Sequence, residues 1–178
     1  MKVLIRAVLF SAIALGAFFM APNAGATNNW DTHAYWVQQN AAITLLTYHV
    51  SGNYEPSSTA NANINDAAAG RPSWRSSWGH YGHTQVYLKH DLLFGMQRLR
   101  SVYGYSYRVT AIAGGRHGSS GSYHYQGRAM DVDYVNGGAV GGSWGEGFRQ
   151  RCAALGAVEA FGPLNDPGGH QGHLHCAW

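Results

Sequence analysis

Residues 122–135 read SYHYQGRAMDVDYV and join a turn to an alternating strand. Over 129–135 the apolar side chains alternate with Asp131 and Asp133, and successive side chains of a strand point to opposite faces. The pattern therefore predicts a strand with one apolar face and one acidic face. Gly127 lets the preceding turn fold back, so that His124 and Asp131 can converge.

The rest of the chain supplies helices and further strands around this segment. Apolar residues recur at helical spacing over 85–103, and Gly- and Pro-rich stretches separate the elements. We predict helices over 32–48, 85–103 and 143–155 (the last with Ser143 as its N-cap), strands over 105–113, 157–161 and 173–178, a long irregular connection over 51–80, and loops over 114–121 and 162–172. The expected fold is α+β, a single small domain whose mainly antiparallel sheet is flanked by helices.

Residues 1–26 have the features of a secretory signal peptide. Two basic residues precede an apolar run over 7–20, and an Ala-Gly-Ala sequence provides the small residues of a cleavage site. We expect its removal to leave one domain over 27–178 in a secreted or periplasmic protein with no stable membrane insertion. The alternative is a membrane anchor, for which the apolar run is short.

Composition excludes several classes of function. Only 12% of the 178 residues are charged and the basic residues do not cluster, which argues against a nucleic-acid-binding surface and a coiled coil. Removing residues 1–26 takes away two basic residues and no acidic one, which lowers the net charge from +3 to +1. Ten histidines against nine acidic residues point instead to metal or proton chemistry.

The chain has two cysteines, Cys152 and Cys176. An even number in an exported protein favours a disulfide, with a zinc ligand and a free thiol as the alternatives. On a strand over 173–178, Cys176 would face away from His173 and His175. That side is where the helix bearing Cys152 can pack, so we predict a disulfide that braces the strand from behind.

Two short segments carry residues suited to binding a metal. His124 and Asp131 lie in the first; His173 and His175, two residues apart and hence on one face of a strand, lie in the second. A catalytic zinc takes three protein ligands, usually imidazole or carboxylate, and keeps a fourth position for water. Three ligands from these groups would leave a histidine beside the metal to act as a base or to stabilise charge.

Together the two segments resemble the signature of zinc D-Ala-D-Ala metallopeptidases. This group contains D,D-carboxypeptidases, D-Ala-D-Ala dipeptidases and the L-alanyl-D-glutamate endopeptidases of phage lysins, and shares its zinc site with lysostaphin-type endopeptidases and the hedgehog domain. The resemblance implies that His124, Asp131 and His175 bind zinc in a cleft and that His173 is catalytic. It extends over about residues 103–178, and the matching residues are Ser122-x-His124-x-x-Gly127-x-Ala129-x-Asp131 and His173-x-His175.

The resemblance also assigns residues around the zinc. His170-x-x-His173-x-His175 is similar to the C-terminal motif of penicillin-insensitive murein endopeptidases, in which the upstream histidine joins the site. Arg116 lies where these enzymes carry an arginine that binds a substrate carboxylate or carbonyl, a role that suits guanidinium. Gly172 stands where several members have a glutamate base. We therefore expect His173, assisted by His170, to act as the base, with Glu159 as a further candidate.

Neighbouring side chains are expected to contact the substrate or to support the metal ligands. Ser122 begins the first segment, and its alternative role is to stabilise the turn. His117 lies in the loop before that segment, and its alternative is an exposed loop residue. Trp78, at the end of the long connection, would line a substrate groove or else cover the edge of the core. Asp133, one strand step beyond Asp131, would hold a ligand histidine or remain solvated.

The expected function is that of a secreted zinc peptidase that cleaves peptidoglycan stem or cross-link peptides, as a D,D-carboxypeptidase or an endopeptidase. Zinc would activate water for attack on the scissile carbonyl. We expect a monomer whose partner is the peptide substrate and which binds no nucleic acid. The alternatives are a non-catalytic hedgehog-like module and a module that binds cell-wall carbohydrate through Trp74 and Trp78.

Overall fold

The segment 129–135 is the central strand of the main sheet. The computed structural model describes residues 29–178. Within this range the helices are α1 (Asn29–Gln39), α2 (Ala60–Ala68), α3 (His90–Ser101) and α4 (Ser143–Ala154), and a 3₁₀ turn covers Pro56–Ser58. The strands are β1 (Ile43–Leu45), β2 (Ser73–Trp74), β3 (Gln85–Val86), β4 (Tyr107–Ala111), β5 (Ala129–Val135), β6 (Gly138–Ala139), β7 (Glu159–Phe161) and β8 (Leu174–Ala177).

The main sheet has six strands in the order β1-β4-β5-β8-β7, with β6 paired to β5. Strands β1 and β4 run parallel, and the remaining pairs of this sheet are antiparallel. Strands β2 and β3 form a separate antiparallel ladder. The protein is therefore α+β, with a mostly antiparallel sheet flanked by helices, as the sequence predicts.

One face of the sheet packs against the helices and forms the core. Met130 and Val132 of β5 are fully buried there, as are Leu174 and Cys176 of β8. The helices contribute a matching apolar surface, chiefly Leu92, Leu93, Met96, Leu99 and Phe148. Each side chain of this size contributes about 1.5–3 kcal/mol when it leaves water, so this face holds the strands in their order.

A disulfide joins Cys152 of α4 to Cys176 of β8, with the two Cα atoms 6.0 Å apart. Both cysteines are fully buried on the helix-packed side, whereas His175 lines a cleft on the other side of the sheet. The bridge therefore braces the histidine-bearing strand from behind, as the alternation of residues predicts.

The prediction that the first helix continues to Tyr48 is wrong. Helix α1 ends at Gln39, and the Asn40 side chain then accepts the N–H of Ala42 at 3.1 Å in a turn. The next residues, Ile43–Leu45, pair with β4 in parallel register. Aliphatic and β-branched side chains suit this strand. Pairing with β4 therefore determines the structure of these residues, although the apolar spacing over 32–48 predicts a helix.

The prediction that residues 51–80 are irregular throughout is also wrong. The stretch contains α2 and β2, and Thr59 caps α2 by accepting the N–H of Ala62 at 3.2 Å. The buried face of α2 consists of small or polar residues and Ile64, so its apolar periodicity is weak; its members are Ala60, Asn63, Ile64 and Ala67.

Two helix starts also differ from prediction. Helix α3 begins at His90 rather than at residue 85, because residues 85–86 pair with β2. Helix α4 has Gly142 as its N-cap, and Ser143 is its first helical residue. No helix within residues 29–178 is long and apolar enough to span a bilayer. The predicted signal peptide, 1–26, lies outside the described residues.

Candidate metal centre

The second face of the sheet forms the floor of an open cleft of about 850 Å³. Residues from 115–123 line one wall and residues from 169–173 line the other. The cleft brings together most of the residues that the sequence singles out, namely Arg116, His117, Ser122, His124, Asp131, His170, His173 and His175.

Two strands and one turn position the centre of the cleft. Asp131 of β5 lies directly opposite His175 of β8 in the antiparallel register. The turn that carries His124 closes when the Gly127 N–H donates to the His124 carbonyl oxygen at 2.9 Å. Gly127 has a φ of +70°, and a Cβ there would lie 2.6 Å from the Tyr87 carbonyl oxygen, so this turn requires glycine.

Three side-chain atoms meet on the floor of the cleft. His124 Nε2 lies 3.1 Å from Asp131 Oδ1 and 3.1 Å from His175 Nδ1. His175 Nδ1 lies 3.0 Å from Asp131 Oδ1. The three atoms form a nearly equilateral triangle, and all three side chains are buried, His124 being only 1% exposed.

The outer ring nitrogen of each of these histidines is held by an acceptor. His124 Nδ1 donates to the Ile112 carbonyl oxygen at 2.5 Å, and His175 Nε2 donates to Glu159 Oε2 at 3.1 Å. A neutral imidazole has a single N–H, so each ring then presents a lone pair to the triangle, where Asp131 is also an acceptor. Three acceptors at these distances require a cation or a proton between them.

The electrostatics of the centre favour positive charge beside an ionised carboxylate. Burial alone would raise the pKa of Asp131, but the charges and hydrogen bonds of His124 and His175 outweigh it and hold this pKa well below its usual range. Burial lowers the pKa of His175, but the hydrogen bonds and charges of Asp131 and Glu159 outweigh burial, and the pKa of His175 is raised.

His117 belongs to a second grouping at the same centre. Ligand atoms of His117, His124 and Asp131 lie within 4.8 Å of one another, so this His-His-Asp group could hold a metal ion. The His117 ring, however, stacks on the His124 ring with centroids 3.6 Å apart and an interplanar angle of 3°. Imidazole lone pairs lie in the ring plane, so the lone pairs of two rings stacked in this way lie in parallel planes and do not converge on one ion without a rotation of one ring. The shorter distances to His175 make it the better third member.

His117 is instead a fixed part of the cleft wall. Its Nε2 donates to the Gly114 carbonyl oxygen at 3.1 Å, and its backbone N–H donates to the Tyr125 hydroxyl at 3.0 Å. Burial, reinforced by the adjacent His124, lowers the pKa of His117 to about 3, so this ring is neutral. Arg116, which directly precedes His117 in the chain, is exposed.

His173 and His170 lie beside the centre. His173 Nε2 is 3.9 Å from Asp131 Oδ1, and the His173 side chain is 33% exposed. Burial and the nearby histidines lower the pKa of His173, so its ring is neutral at pH 7 and can accept a proton. His170 Nδ1 lies 2.7 Å from Asp166 Oδ2, and the His170 and His173 ring centroids are 4.9 Å apart.

Ser122 and Trp78 have supporting positions. Ser122 Oγ accepts the backbone N–H of His124 at 3.3 Å and so helps to hold the turn. The Trp78 ring packs edge-to-face on His49, with centroids 4.8 Å apart. His49 lines the cleft, but Trp78 is not one of the described residues that do so. Of the two alternatives for Trp78, packing against the edge of the structure fits its contacts better.

Asp133 does not hold a ligand histidine. Its two carboxylate oxygens accept from Arg108 Nε at 2.8 Å and from Arg108 Nη2 at 2.6 Å, because β4 places Arg108 beside it. The outer nitrogens of the two central histidines are held instead by Glu159 and by the Ile112 carbonyl oxygen.

Three contacts of the cleft histidines are missing from the sequence-based description. They are made by Glu159, Asp166 and the carbonyl group of Ile112. Glu159 lies on a predicted strand, and the sequence predicts it only as a candidate base, because nothing local indicates that β7 pairs with β8. The spacing of Asp166 and His170, four residues apart in a Gly- and Pro-rich loop, was a usable signal for a turn that joins them.

Comparison of the chain with protein-family models, with curated proteins and with solved structures gives no match. The functional conclusion therefore depends on the residues of the cleft.

Proposed function

We propose that the protein is a zinc-dependent peptidase that cleaves stem or cross-link peptides of bacterial peptidoglycan. The observation that carries the proposal is the buried triangle of His124, Asp131 and His175, in which three acceptor atoms face one another. Both imidazoles are oriented by a hydrogen bond at the outer nitrogen, as metal-binding histidines usually are.

The donor set fits zinc. Zinc binds imidazole and carboxylate at about 2.0–2.2 Å in a tetrahedron, which separates the ligand atoms by roughly 3.3 Å. The distances of 3.0 and 3.1 Å in the triangle are close to this spacing. Three protein ligands leave one position open, as in catalytic zinc sites. When bound, zinc would lower the pKa of water and polarise a carbonyl group.

The neighbouring side chains supply proton transfer and orientation. His173 is neutral and partly exposed beside Asp131, so its Nε2 is placed to accept a proton and to return it to the leaving amine. Arg116 is exposed on the cleft wall, where its planar group of N–H donors can bind a substrate carboxylate or carbonyl.

A cell-wall peptide is the substrate class that these features favour. The motif residues resemble those of cell-wall metallopeptidases, and a disulfide suits an exported protein. The cleft volume of about 850 Å³ is ample for several residues of an extended peptide.

The test uses the purified protein, its zinc content and its release of soluble peptides from purified peptidoglycan, followed by mass spectrometry. We expect one zinc per chain and a released peptide, and we expect the His124→Ala variant to lose both. His90→Ala is the matched control, because His90 lies on α3 away from the cleft. Full activity of His124→Ala would overturn the proposal.

One observation favours a second function, that of a non-catalytic zinc module of the hedgehog type. Gly172 provides no carboxylate where several of the peptidases that the motif resembles have a glutamate, and the Glu159 carboxylate is already hydrogen-bonded to His175. The His173→Ala variant separates the two functions. A peptidase would lose about 100-fold or more in kcat and keep its zinc. A binding module would release no peptide as wild type and would keep its affinity for peptidoglycan in the variant.

A further inference from the structure

The imidazoles of the cleft share a pattern of hydrogen bonds. In five of the six histidines that line the cleft, one ring nitrogen is held by an acceptor, which fixes the tautomer and directs the other nitrogen elsewhere. His173 is the exception, since none of the described residues forms a hydrogen bond with its ring. The five fixed rings and their acceptors are His124 with Ile112, His175 with Glu159, His117 with Gly114, His49 with Glu55, and His170 with Asp166.

His170 is fixed by a turn of its own wall. The Asp166 N–H donates to the Gly162 carbonyl oxygen at 2.9 Å, and the His170 N–H donates to the Asp166 carbonyl oxygen at 3.0 Å. These bonds bring the two side chains together, and Asp166 Oδ2 lies 2.7 Å from His170 Nδ1. A short, charge-assisted bond of this kind is stronger than a neutral one.

The bond fixes which nitrogen of His170 carries the proton. An ionised carboxylate only accepts hydrogen bonds, so His170 Nδ1 must be the N–H and Nε2 carries the lone pair in the neutral ring. The ring lines the cleft between Phe161 and His173, at centroid distances of 5.2 and 4.9 Å. None of the described residues donates a hydrogen bond to His170 Nε2.

We propose that Asp166 is a positioning residue that keeps His170 Nε2 as a fixed hydrogen-bond acceptor for the substrate in the cleft. The group that it would accept from is an N–H of the bound peptide or of the leaving amine. The proposal rests on the proposed peptidase function. It separates two roles: His173, with no fixed tautomer, exchanges the proton, and His170 orients the group that receives it.

If Asp166 had only a structural role, its removal would lower the stability of the protein and would affect turnover only through that loss. The Asp166 side chain is 42% exposed, and carboxylate contacts exposed to this extent contribute little to stability. Removal of the carboxylate should therefore change the melting temperature little. A loss of turnover without a loss of stability or zinc would indicate positioning.

The experiment compares wild type with Asp166→Ala, with Asp166→Glu as the conservative variant that keeps a carboxylate. We expect Asp166→Ala to lower kcat about 10- to 100-fold with KM, zinc content and melting temperature unchanged, and Asp166→Glu to recover much of the loss. Asp91→Ala is the matched control, because it removes the acceptor of a His90–Asp91 pair of 3.1 Å that lies outside the cleft.

A second measurement does not depend on activity. Imidazole ¹⁵N chemical shifts of the zinc-loaded protein should show His170 as the Nδ1–H tautomer in wild type and as a mixture in Asp166→Ala. Unchanged shifts would overturn the inference, as would a variant with wild-type kcat or one that loses zinc together with activity. If wild type itself releases no peptide, the proposed function fails, and the substrate role of His170 fails with it, whatever the tautomer.

Discussion

The two faces of the main sheet differ completely in chemistry although they share the same strands. On β5, Met130 is fully buried against the helices, whereas its neighbour Asp131 belongs to the candidate metal centre. On β8, Cys176 forms the disulfide and its neighbour His175 faces the cleft. Of two residues one step apart, one therefore packs into the core and holds the strand in place, and the other lies in the candidate metal centre.

This difference shows how a small domain keeps polar groups in place at a buried centre. The apolar face fixes the strands by close packing, so the positions of Asp131 and His175 follow from the backbone. On the cleft face each buried polar group has a partner, such as Glu159 for His175. Substitutions on the first face should change stability, and those on the second should change metal affinity or turnover.

The largest effect on stability is expected for Met130→Ala. Met130 is fully buried and pairs with Cys176 across the strands, so the variant should lose about 2–5 kcal/mol of unfolding free energy. The comparison variant, Asp133→Asn on the opposite face of β5, disrupts a partly exposed pair with Arg108 and should lose about 1 kcal/mol or less. Urea unfolding of both variants measures the difference. Equal losses would contradict the division between the faces.

Removal of the disulfide is expected to have the next largest effect. The bond joins residues 24 apart, and a loop of this length contributes about 3 kcal/mol by restricting the unfolded chain. Cys152→Ser/Cys176→Ser should therefore unfold at lower urea concentration, while zinc content measured well below the transition stays at the wild-type level. Loss of zinc from a folded double variant would show that the helix-packed face also sets the geometry of the metal centre.

Residues whose pattern is local were predicted well from the sequence. The strand at 129–135 alternates clearly and agrees with β5, and the helix predicted over 143–155 agrees with the observed end of α4 at Ala154. The same alternation on β8 oriented Cys176 toward Cys152. In these segments the spacing of apolar residues matches a single type of secondary structure, and the tertiary contacts stabilise that same structure.

Features set by distant contacts could not be predicted in this way. Strand β1 forms because Ile43–Leu45 lies beside β4, and α2 packs through small residues whose pattern is weak. The Glu159 contact depends on the order of strands in the sheet. Asp133, by contrast, lies on the predicted acidic face of β5, but its hydrogen-bond partner is Arg108 rather than a ligand histidine.

A smaller effect is expected for Glu159→Gln on the cleft face. Glu159 accepts the outer N–H of His175 at 3.1 Å, and glutamine would keep an acceptor oxygen there but lose the negative charge. Mutation of such a partner typically weakens metal affinity 10- to 100-fold. Zinc competition with a chelator measures the change, and unfolding of the metal-free protein should be almost unaffected. Glu146→Gln, which alters an Arg149 pair on α4, is the control and should leave zinc affinity unchanged. A wild-type affinity in Glu159→Gln would count against His175 as a ligand.

The smallest effect is expected for Tyr125→Phe. This variant tests whether a change in the cleft wall alters substrate binding without altering the metal centre on the sheet. The buried Tyr125 hydroxyl accepts the backbone N–H of His117 at 3.0 Å and that of His80 at 3.3 Å, so its loss should cost about 1 kcal/mol in stability. Because His117 follows Arg116 in the wall, we also expect KM for a carboxylate-bearing peptide to rise a few-fold while kcat and zinc content stay constant. A fall in kcat with constant KM would mean that the wall positions the reacting groups rather than the substrate. The division between supporting and cleft residues seen in the sheet would then not apply to its loops.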